Sequence, residues 1–478
     1  MSAPLVWIIF PGIMAVALLF LRKYSRLNLL LGVGVALSLA GLAWINPIGT
    51  ELSFGPIKIA VGNTIFVLGR RFELLSSDTP ALVLIYLGAA FWFGGAPAAG
   101  IKSIFISIGL GVAALLTAVL AVEPFLYAAL LIELVVLLCV PILSPPGKPV
   151  SQGILRFVIF QSLGMPFILF TSWLLEGIQA GPGASASWLQ VGILLGLGFS
   201  FLLGVFPFHS WIPMLAETAP PFIAAFVFYI LTLVFTFFGL GFLYRYPVLQ
   251  NAPDLPVLLQ IGGILMTVTG GIWAAFQRHL GRMMGFAVMV EIGLTMLSIS
   301  VALSNPENNT NISLIFSQIL PRGLSLGVWA LTLQTLKNHS GETVNDSEVF
   351  RFRNIQGLGR KLPIATAVLL IAHFSLAGVP LFASFPVRLI LWSELNAINP
   401  LVASFAYWSS AGLLVGGLRT LSVLVMGPSN DVWSVGEHWY ELLFLVIGGV
   451  LLLAIGMFPQ AFFPIFDHMV EVFSDLMP

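Results

Sequence analysis

Fourteen runs of mostly apolar residues, each about as long as a bilayer is thick, constrain this chain more than any other feature. A helix rises about 1.5 Å per residue, so roughly 20 apolar residues cross a hydrocarbon core about 30 Å thick. In that core every backbone N–H and C=O group needs a partner, which favours helices. We therefore predict an all-α integral membrane protein with about 14 transmembrane helices. The runs lie near 4–21, 28–47, 78–98, 103–121, 125–143, 153–177, 188–206, 221–244, 255–277, 282–303, 311–336, 363–396, 402–426 and 439–459.

The composition supports a membrane protein and gives no sign of a bound cofactor or nucleic acid. Of 478 residues 58% are hydrophobic and 8% charged, whereas about a quarter are charged in soluble domains. Twenty basic and twenty acidic residues cancel, so no large field attracts nucleic acid. The single cysteine, Cys139, cannot form an internal disulfide, and the six histidines lack metal-ligand spacing. We expect no redox cofactor and no metal, since the chain lacks cysteine clusters, nucleotide-binding glycine loops and paired haem histidines.

The basic residues predict the orientation of the chain. If the amino terminus lies outside, most lysines and arginines fall in cytoplasmic connections, and the opposite side receives only Lys58, Arg70, Arg71 and Arg245. This asymmetry predicts that both termini lie on the non-cytoplasmic side. The membrane would be a bacterial plasma membrane or an energy-transducing membrane such as the thylakoid.

Two connections have distinctive sequences. Residues 51–72 contain a Gly-Pro pair and alternating apolar residues, which predicts an external hairpin. The longest polar connection, 337–361, is predicted to be a cytoplasmic linker that divides the chain into two halves.

Five ionisable residues within the apolar runs are candidates for function: Glu133, Glu291, Arg322, Arg388 and Arg419. A charge at a helix centre costs a few kcal/mol on insertion scales, so it faces a partner or a hydrated cavity. For Glu133, a role in function is favoured over a merely structural role in a buried ion pair. Glu291 and Arg322 are either functional or simply paired with each other. Arg419 is close enough to a helix end to extend its charged head group to the membrane–water interface.

Two runs contain helix breaks, GVFPFHSWIP at 204–213 and GVPLFASFP at 378–386, the second just before Arg388. Proline removes an intrahelical hydrogen bond, and broken membrane helices persist where they are buried in protein or line a wet cavity. One break in each half is typical of transporters built from repeats, although both could be packing kinks. The prolines of the two breaks are Pro207, Pro213, Pro380 and Pro386.

Two histidines near these breaks, His209 and His373, are candidate proton carriers. A histidine gains and loses a proton at little cost near neutral pH. The alternative for each is a hydrogen-bonded structural residue.

Five segments of the chain, in this order, form a recognisable set: GVAALLTAVLAVEPFLYAALLIELVVLLCVP, VFPFHSWIP, RHLGRMMGFAVMVEIGLTMLSIS, IQGLGRKLP and SLAGVPLFASFPVRLILW. They resemble signatures of the antiporter-like proton-translocating subunits of respiratory complex I and of Mrp sodium/proton antiporters. The resemblance covers roughly residues 75–425. It does not choose among the members of that superfamily.

The resemblance implies two inverted five-helix repeats, each with a half-channel, joined by a polar axis along the membrane middle. Residues 1–100 would then form helices 1–3 with the external hairpin, and 101–250 the first repeat, helices 4–8. Residues 251–426 would form the second repeat, helices 9–13, and 427–478 the fourteenth helix. The seventh and twelfth helices would be broken.

The resemblance also assigns proton-pathway positions. The glutamate of the family's fifth helix matches Glu133, and the lysine of its twelfth helix falls at Arg388. The basic residue of the eleventh helix falls at Arg322, and the histidine of the tenth at Glu291. Together with His209, these positions form the predicted proton or ion pathway.

The chain departs from the family pattern in its first half. The lysine of the seventh helix falls at Leu202, and that of the eighth lies near Phe237 or Phe238. The polar stretch after the seventh helix keeps only Glu217. Without these lysines, Glu133 would need another partner, either Arg156 or a residue of a neighbouring subunit. Arg156, Glu217 and His373 are therefore possible auxiliary residues.

Three functions fit these observations. The first is a membrane-arm subunit of a complex I-like NAD(P)H/quinone oxidoreductase or a related assembly; it would be a non-redox subunit of a translocating enzyme. The second is a D-like Mrp antiporter subunit that is mainly structural because of Leu202. The third is a free-standing transporter of a small solute. The first two imply other membrane subunits, the lipid bilayer and protons or sodium ions as partners.

Overall fold

A computed structural model gives the architecture of the chain. It describes residues 2–45, 48, 51–54, 57–60, 62–144, 147, 150–179, 188–304, 309–339, 348–426 and 434–474. Residues 340–347 of the predicted linker therefore lie outside the described residues.

Most of the described chain is helical, as the apolar runs predict. Each of the fourteen runs coincides with a helix or with a pair of broken helices. The first half contains α1 (Leu5–Lys23), α2 (Ser25–Ile45), α3 (Ser76–Gly95), α4 (Ile104–Ala121), α5 (Leu126–Leu143), α6 (Gln152–Gln179), α7 (Trp188–Leu202), α8 (Trp211–Thr218) and α9 (Pro221–Arg245). The second half contains α10 (Leu255–Phe276), α11 (Leu280–Ser304), α12 (Asn309–His339), α13 (Pro363–Ala377), α14 (Phe385–Ile398), α15 (Pro400–Val425), α16 (Trp439–Met457) and α17 (Phe463–Ser474).

Twelve of the described helices are long and apolar enough to cross a membrane. The count rises to 13 if α13 is joined to the bent segment Phe352–Arg360 that precedes it. The predicted number of about 14 differs because α7, with 15 residues, is shorter than a full span and because the twelfth run is split into α13 and α14. The chain is therefore an integral, multi-pass membrane protein, and its predicted fold class is confirmed.

The segment after α2 forms two hairpins rather than one. Strands β1 (Glu51–Phe54) and β2 (Ile57–Ala60) pair antiparallel. Strands β3 (Thr64–Val67) and β4 (Arg70–Glu73) form the second pair, and β4 also pairs with β5 (Val122–Glu123), which links α4 to α5. The second hairpin is thus joined to the end of the α4–α5 pair.

Both predicted breaks are present, and each begins at a glycine with left-handed backbone. The helix α7 ends at Leu202, and Gly204 follows with φ of 64°. The helix α13 ends at Ala377, and Gly378 follows with φ of 69°. Such values favour glycine because a Cβ atom would be strained there.

The two halves meet through α9 and α12, which are almost entirely buried and pack against each other. Outside this centre, α5 and α6 pack as neighbours, α6 also packs on α7 and α8, and α11 packs on α10. The final helix, α17, packs against α12 and places Phe463 and Phe466 beside Ala383 and Pro386 of the second break. The second break is therefore covered by the carboxy-terminal helix.

Candidate functional site

Glu291 and Arg388 form a deeply buried ion pair in the second half. Glu291 on α11 is 3% exposed and Arg388 on α14 is 1% exposed. Arg388 donates from Nη2 to Oε1 of Glu291 and from Nη1 to Oγ of Ser410, at 2.8 Å. A buried charge needs such a partner because removal from water costs several kcal/mol per ion.

The break in the helix helps to hold Arg388. Within a continuous helix, the carbonyl of Leu376 would accept a hydrogen bond from residue 380, four positions later. That residue is Pro380, which has no N–H group. Arg388 donates to this carbonyl instead. The break therefore supplies a backbone acceptor to the guanidinium.

A second guanidinium, that of Arg322, lies close enough to Glu291 for a coulombic interaction. Arg322 is 2% exposed and donates from Nη1 to Oγ1 of Thr295, at 3.0 Å, while its Nε group has no acceptor. The direct partner of Glu291 is thus Arg388, not Arg322. Two guanidiniums share one carboxylate at this site.

In the first half, Glu133 has a different environment. The Glu133 side chain is half-buried on α5, and its Oε1 accepts a hydrogen bond from Ser162 of α6, at 2.8 Å. Its Oε2 is buried and has no partner. Among the described residues, no lysine or arginine lies within ion-pair distance of Glu133. Arg156, the expected alternative partner, donates to Ser210 at 3.5 Å.

The three positions at which the resemblance would place lysines in the first half are apolar and buried. Leu202 is 2% exposed and lies against the backbone of Gly164 on α6. Phe237 and Phe238 on α9 are 7% and 1% exposed. No side chain at these three positions can carry a proton.

The remaining candidates lie apart from these two clusters. His209 lies in the first break, stacks on Phe206, and has an Nδ1 atom without a partner. Glu217 forms an ion pair with Arg282 at 2.6 Å, which ties α8 to α11. His373 is fully buried, and its Nε2 bonds to the carbonyl of Leu413.

Arg419 contacts two other segments of the chain. Its guanidinium donates to the carbonyl of Ala275 and lies over the ring of Phe352 at 5.6 Å. It therefore joins α15 to the end of α10.

The two breaks share four residue types at the same spacing, a relationship that the sequence analysis missed. In each, the helix ends at a Gly-Val pair, a phenylalanine follows after two residues, and a serine precedes the next helix. The motif G-V-x-x-F-x-S at 204–210 and 378–384 was the available signal. Under this match, Leu202 corresponds to Leu376, and Met214 corresponds to Arg388. The first break therefore lacks the guanidinium that the second one has.

Each break also leaves a leucine carbonyl that a buried polar side chain binds. In the second break this donor is Arg388; in the first it is Gln161, whose Nε2 donates to the Leu202 carbonyl at 2.9 Å. Gln161 is fully buried, and its Oε1 has no partner. Like Ser162, it was overlooked because a neutral side chain in an apolar run carries no charge signal.

A cavity of about 140 Å³ lies beside the second hairpin, near the end of α9. Its polar wall includes Glu73, Asp78 and Arg245, and its apolar wall includes Phe237 and Phe238. Arg245 forms an ion pair with Glu123 at 2.8 Å. Among the described residues, no group of three or more His, Cys, Asp or Glu side chains could hold a metal ion.

Comparison with known proteins gives one family match. Residues 178–413 match the family described as NADH:quinone oxidoreductase/Mrp antiporter, TM. The NADH-quinone oxidoreductase subunit N of Francisella tularensis is 25% identical over 57% of this chain and 54% of its own length. Subunit N of Paraburkholderia phymatum is 23% identical over 70% of this chain and 69% of its own length. The chain thus matches little more than half the length of the Francisella relative.

Three solved structures share the fold over almost the whole chain. A chain of Thermus thermophilus respiratory complex I has a TM-score of 0.70 at 19% identity, covering 95% of this chain and 97% of that one. A chain of the Mrp complex from Dietzia has a TM-score of 0.77 at 14% identity, covering 99% and 97%. A chain of an archaeal membrane-bound sulfane sulfur reductase has the same score at 15% identity, covering 99% of each.

Proposed function

We propose a function from the premise that the chain belongs to the superfamily of antiporter-like membrane subunits of NADH:quinone oxidoreductases and Mrp antiporters. It serves as a non-redox, membrane-arm subunit of a complex I-like NAD(P)H/quinone oxidoreductase or a related assembly. Within that assembly, it takes part in the translocation of protons or other cations through its buried charged residues. Its partners are other membrane subunits and the lipid bilayer.

The observation that carries this proposal is the pair of carboxylates, one on the fifth and one on the tenth predicted span. Glu133 has a buried oxygen without a partner, whereas Glu291 is held by Arg388. A carboxylate changes its protonation state readily, but arginine stays protonated in proteins. Glu133 is therefore the group that gains and loses the proton. Arg388 and Arg322 act as fixed positive charges that make the uptake of a further cation less favourable.

The two breaks support a translocation route that is open to both sides of the membrane. In a chain of fourteen spans the seventh and the twelfth would run in opposite directions, and in each the break follows a helix of 15 residues. With both termini on the non-cytoplasmic side, the first break lies in the cytoplasmic half of the membrane and the second in the outer half. His209 then lies toward the cytoplasm, on the side from which Glu133 is reached.

A second candidate function is that of a mainly structural, D-like Mrp subunit. The observation in its favour is the apolar packing of Leu202, Phe237 and Phe238, which leaves the first half without a lysine carrier. In that case a paralogous subunit would carry the protons, and this chain would contribute its fold to the assembly.

The test is purification of the native assembly in a mild detergent, with identification of its subunits and measurement of ion uptake after reconstitution. Quinone-reductase and iron–sulfur subunits that co-purify, with proton uptake driven by NAD(P)H, support the first candidate. Small Mrp-type subunits support the second if uptake is unchanged when Glu133 and Glu291 are both replaced by glutamine. Purification of the chain alone, active toward a small solute, would contradict both.

A further inference from the structure

The helix α6 carries a series of polar side chains toward the first break. Ser162 bonds to Glu133, Gln161 bonds to the Leu202 carbonyl, and Arg156 bonds to Ser210 of the break. These groups follow α6 from the level of Glu133 toward the first residue of the helix, Gln152. The family's lysines are absent along this path, so the polar groups of α6 provide its connections.

Two buried oxygens on this path accept no hydrogen bond from the described residues: Oε1 of Gln161 and Oε2 of Glu133. Buried side-chain oxygens in proteins are in the large majority paired with a donor, ordered water included. An acceptor oxygen cannot be satisfied by the carbonyl or apolar groups around it. A donor is therefore needed at Gln161, and water is the donor that also moves protons.

We propose that Gln161 is a positioning residue that holds the water through which a proton reaches Glu133, in place of the missing lysine. This inference rests on the proposed function of the chain. The amide Oε1 accepts a hydrogen bond from the water, while Nε2 stays fixed on the Leu202 carbonyl. Gln161 does not titrate, so it orients the water and does not carry the proton.

The transfer balances without any further reactant. A hydronium ion on the cytoplasmic side gives one proton to the water at Gln161, and this water releases another proton to the carboxylate of Glu133. The hydronium ion becomes water, the bridging water is regenerated, and the carboxylate becomes a neutral carboxyl group. Release of the proton from Glu133 toward the next site of the assembly restores the carboxylate.

Two variants separate water positioning from a purely structural role. Gln161→Met removes both the donor and the acceptor, whereas Gln161→Glu loses the donor to Leu202 but keeps acceptor oxygens. If Gln161 positions water, the rate of proton uptake falls about 10-fold in the Met variant, because the loss of one net hydrogen bond raises the barrier to proton transfer enough to slow the transfer by about that factor. The Glu variant then stays well above the Met variant.

The measurement is proton uptake by the intact, reconstituted assembly, with the amounts of co-purifying subunits recorded for each variant. Gln334→Met is the matched control, because Gln334 is also buried with an unpartnered Oε1 but bonds only within α12, to Asn338. The control should retain the parental rate. A parental rate for Gln161→Met, or equal losses in the Met and Glu variants, would overturn the inference.

The variants distinguish a wrong role for Gln161 from a wrong proposed function of the chain. If Glu133→Gln lowers uptake while Gln161→Met does not, translocation stands and the role of Gln161 is wrong. If both variants keep the parental rate, the proposed function itself fails. A density map of the unmodified assembly gives a check that needs no variant: water within about 3 Å of Oε1 supports the inference, and dry packing around that atom overturns it.

Discussion

Arg388 and Glu291 form an ion pair across two helices, 97 residues apart in sequence, at a depth where both side chains are almost fully buried. Arg388 reaches this position because the helix before it is broken and offers the carbonyl of Leu376. A single proline, Pro380, thus connects the helix break to the placement of a charge.

Removal of the carboxylate at this site should be strongly destabilising. Glu291→Leu leaves two buried guanidiniums without a counter-charge, and breaking a buried pair costs about 3–5 kcal/mol. Adding Arg388→Met to that variant should recover part of the loss. Unfolding in detergent by SDS titration measures the free energy of unfolding of both variants. Glu217→Leu is the control: it breaks a partly exposed ion pair and should lower that free energy by only about 0.2–1 kcal/mol. Additive losses in the double variant would contradict the pairing.

The glycine at the second break should not tolerate a side chain. A Cβ atom at position 378 would lie 2.5 Å from Cδ of Arg388, and the φ of 69° strains any other residue. We expect Gly378→Ala to lower the free energy of unfolding by about 1–3 kcal/mol. Gly34→Ala is the control, since nothing lies within 4 Å of its Cβ position. Equal unfolding free energies for the two variants would show that the break does not depend on this glycine.

A lysine at position 202 should not restore an ion pair with Glu133. Leu202 packs on Gly164, and Ser162, which contacts Glu133, lies two residues away and hence on the opposite side of α6. We expect Leu202→Lys to lower the free energy of unfolding by about 2.5–3.5 kcal/mol, the cost of an unpaired lysine in the membrane. Leu202→Met, which conserves volume, should cost less than about 1.5 kcal/mol.

A double-variant cycle checks this separation. If the new lysine does not reach Glu133, adding Glu133→Gln to Leu202→Lys should change the unfolding free energy by the same amount as Glu133→Gln does alone. A coupling greater than about 1 kcal/mol would mean that the lysine reaches Glu133 and that the first half is simply missing its carrier.

Much of the fold follows from the sequence, because the period and length of apolar runs are local properties. The breaks were predictable for the same reason: Pro207 and Pro380 each act on their own helix. Counting four residues back from Pro380 also identifies Leu376 as the carbonyl that loses its helical hydrogen-bond donor. The orientation and the two-repeat organisation remain predictions.

The partners of the charged residues did not follow from the sequence. Nothing local distinguishes Arg322 from Arg388 as the partner of Glu291, since both lie on distant segments and the choice depends on how helices pack. Likewise, Gln161 and Ser162 acquire a role only because α6 lies between α5 and α7. The roles assigned to Glu133, Glu291, Arg322, Arg388 and His209 in translocation remain predictions.

Glu133→Gln in the reconstituted native assembly tests whether Glu133 gains and loses the translocated proton. The amide keeps the size of the side chain and its bond to Ser162 but cannot take up a proton. We predict a fall in proton uptake of at least about 10² with normal amounts of co-purifying subunits, as expected for loss of a proton-transfer group. Asp254→Asn, an exposed carboxylate in a connection, should leave uptake unchanged. A parental rate for Glu133→Gln would mean that Glu133 is a structural residue and does not carry the proton.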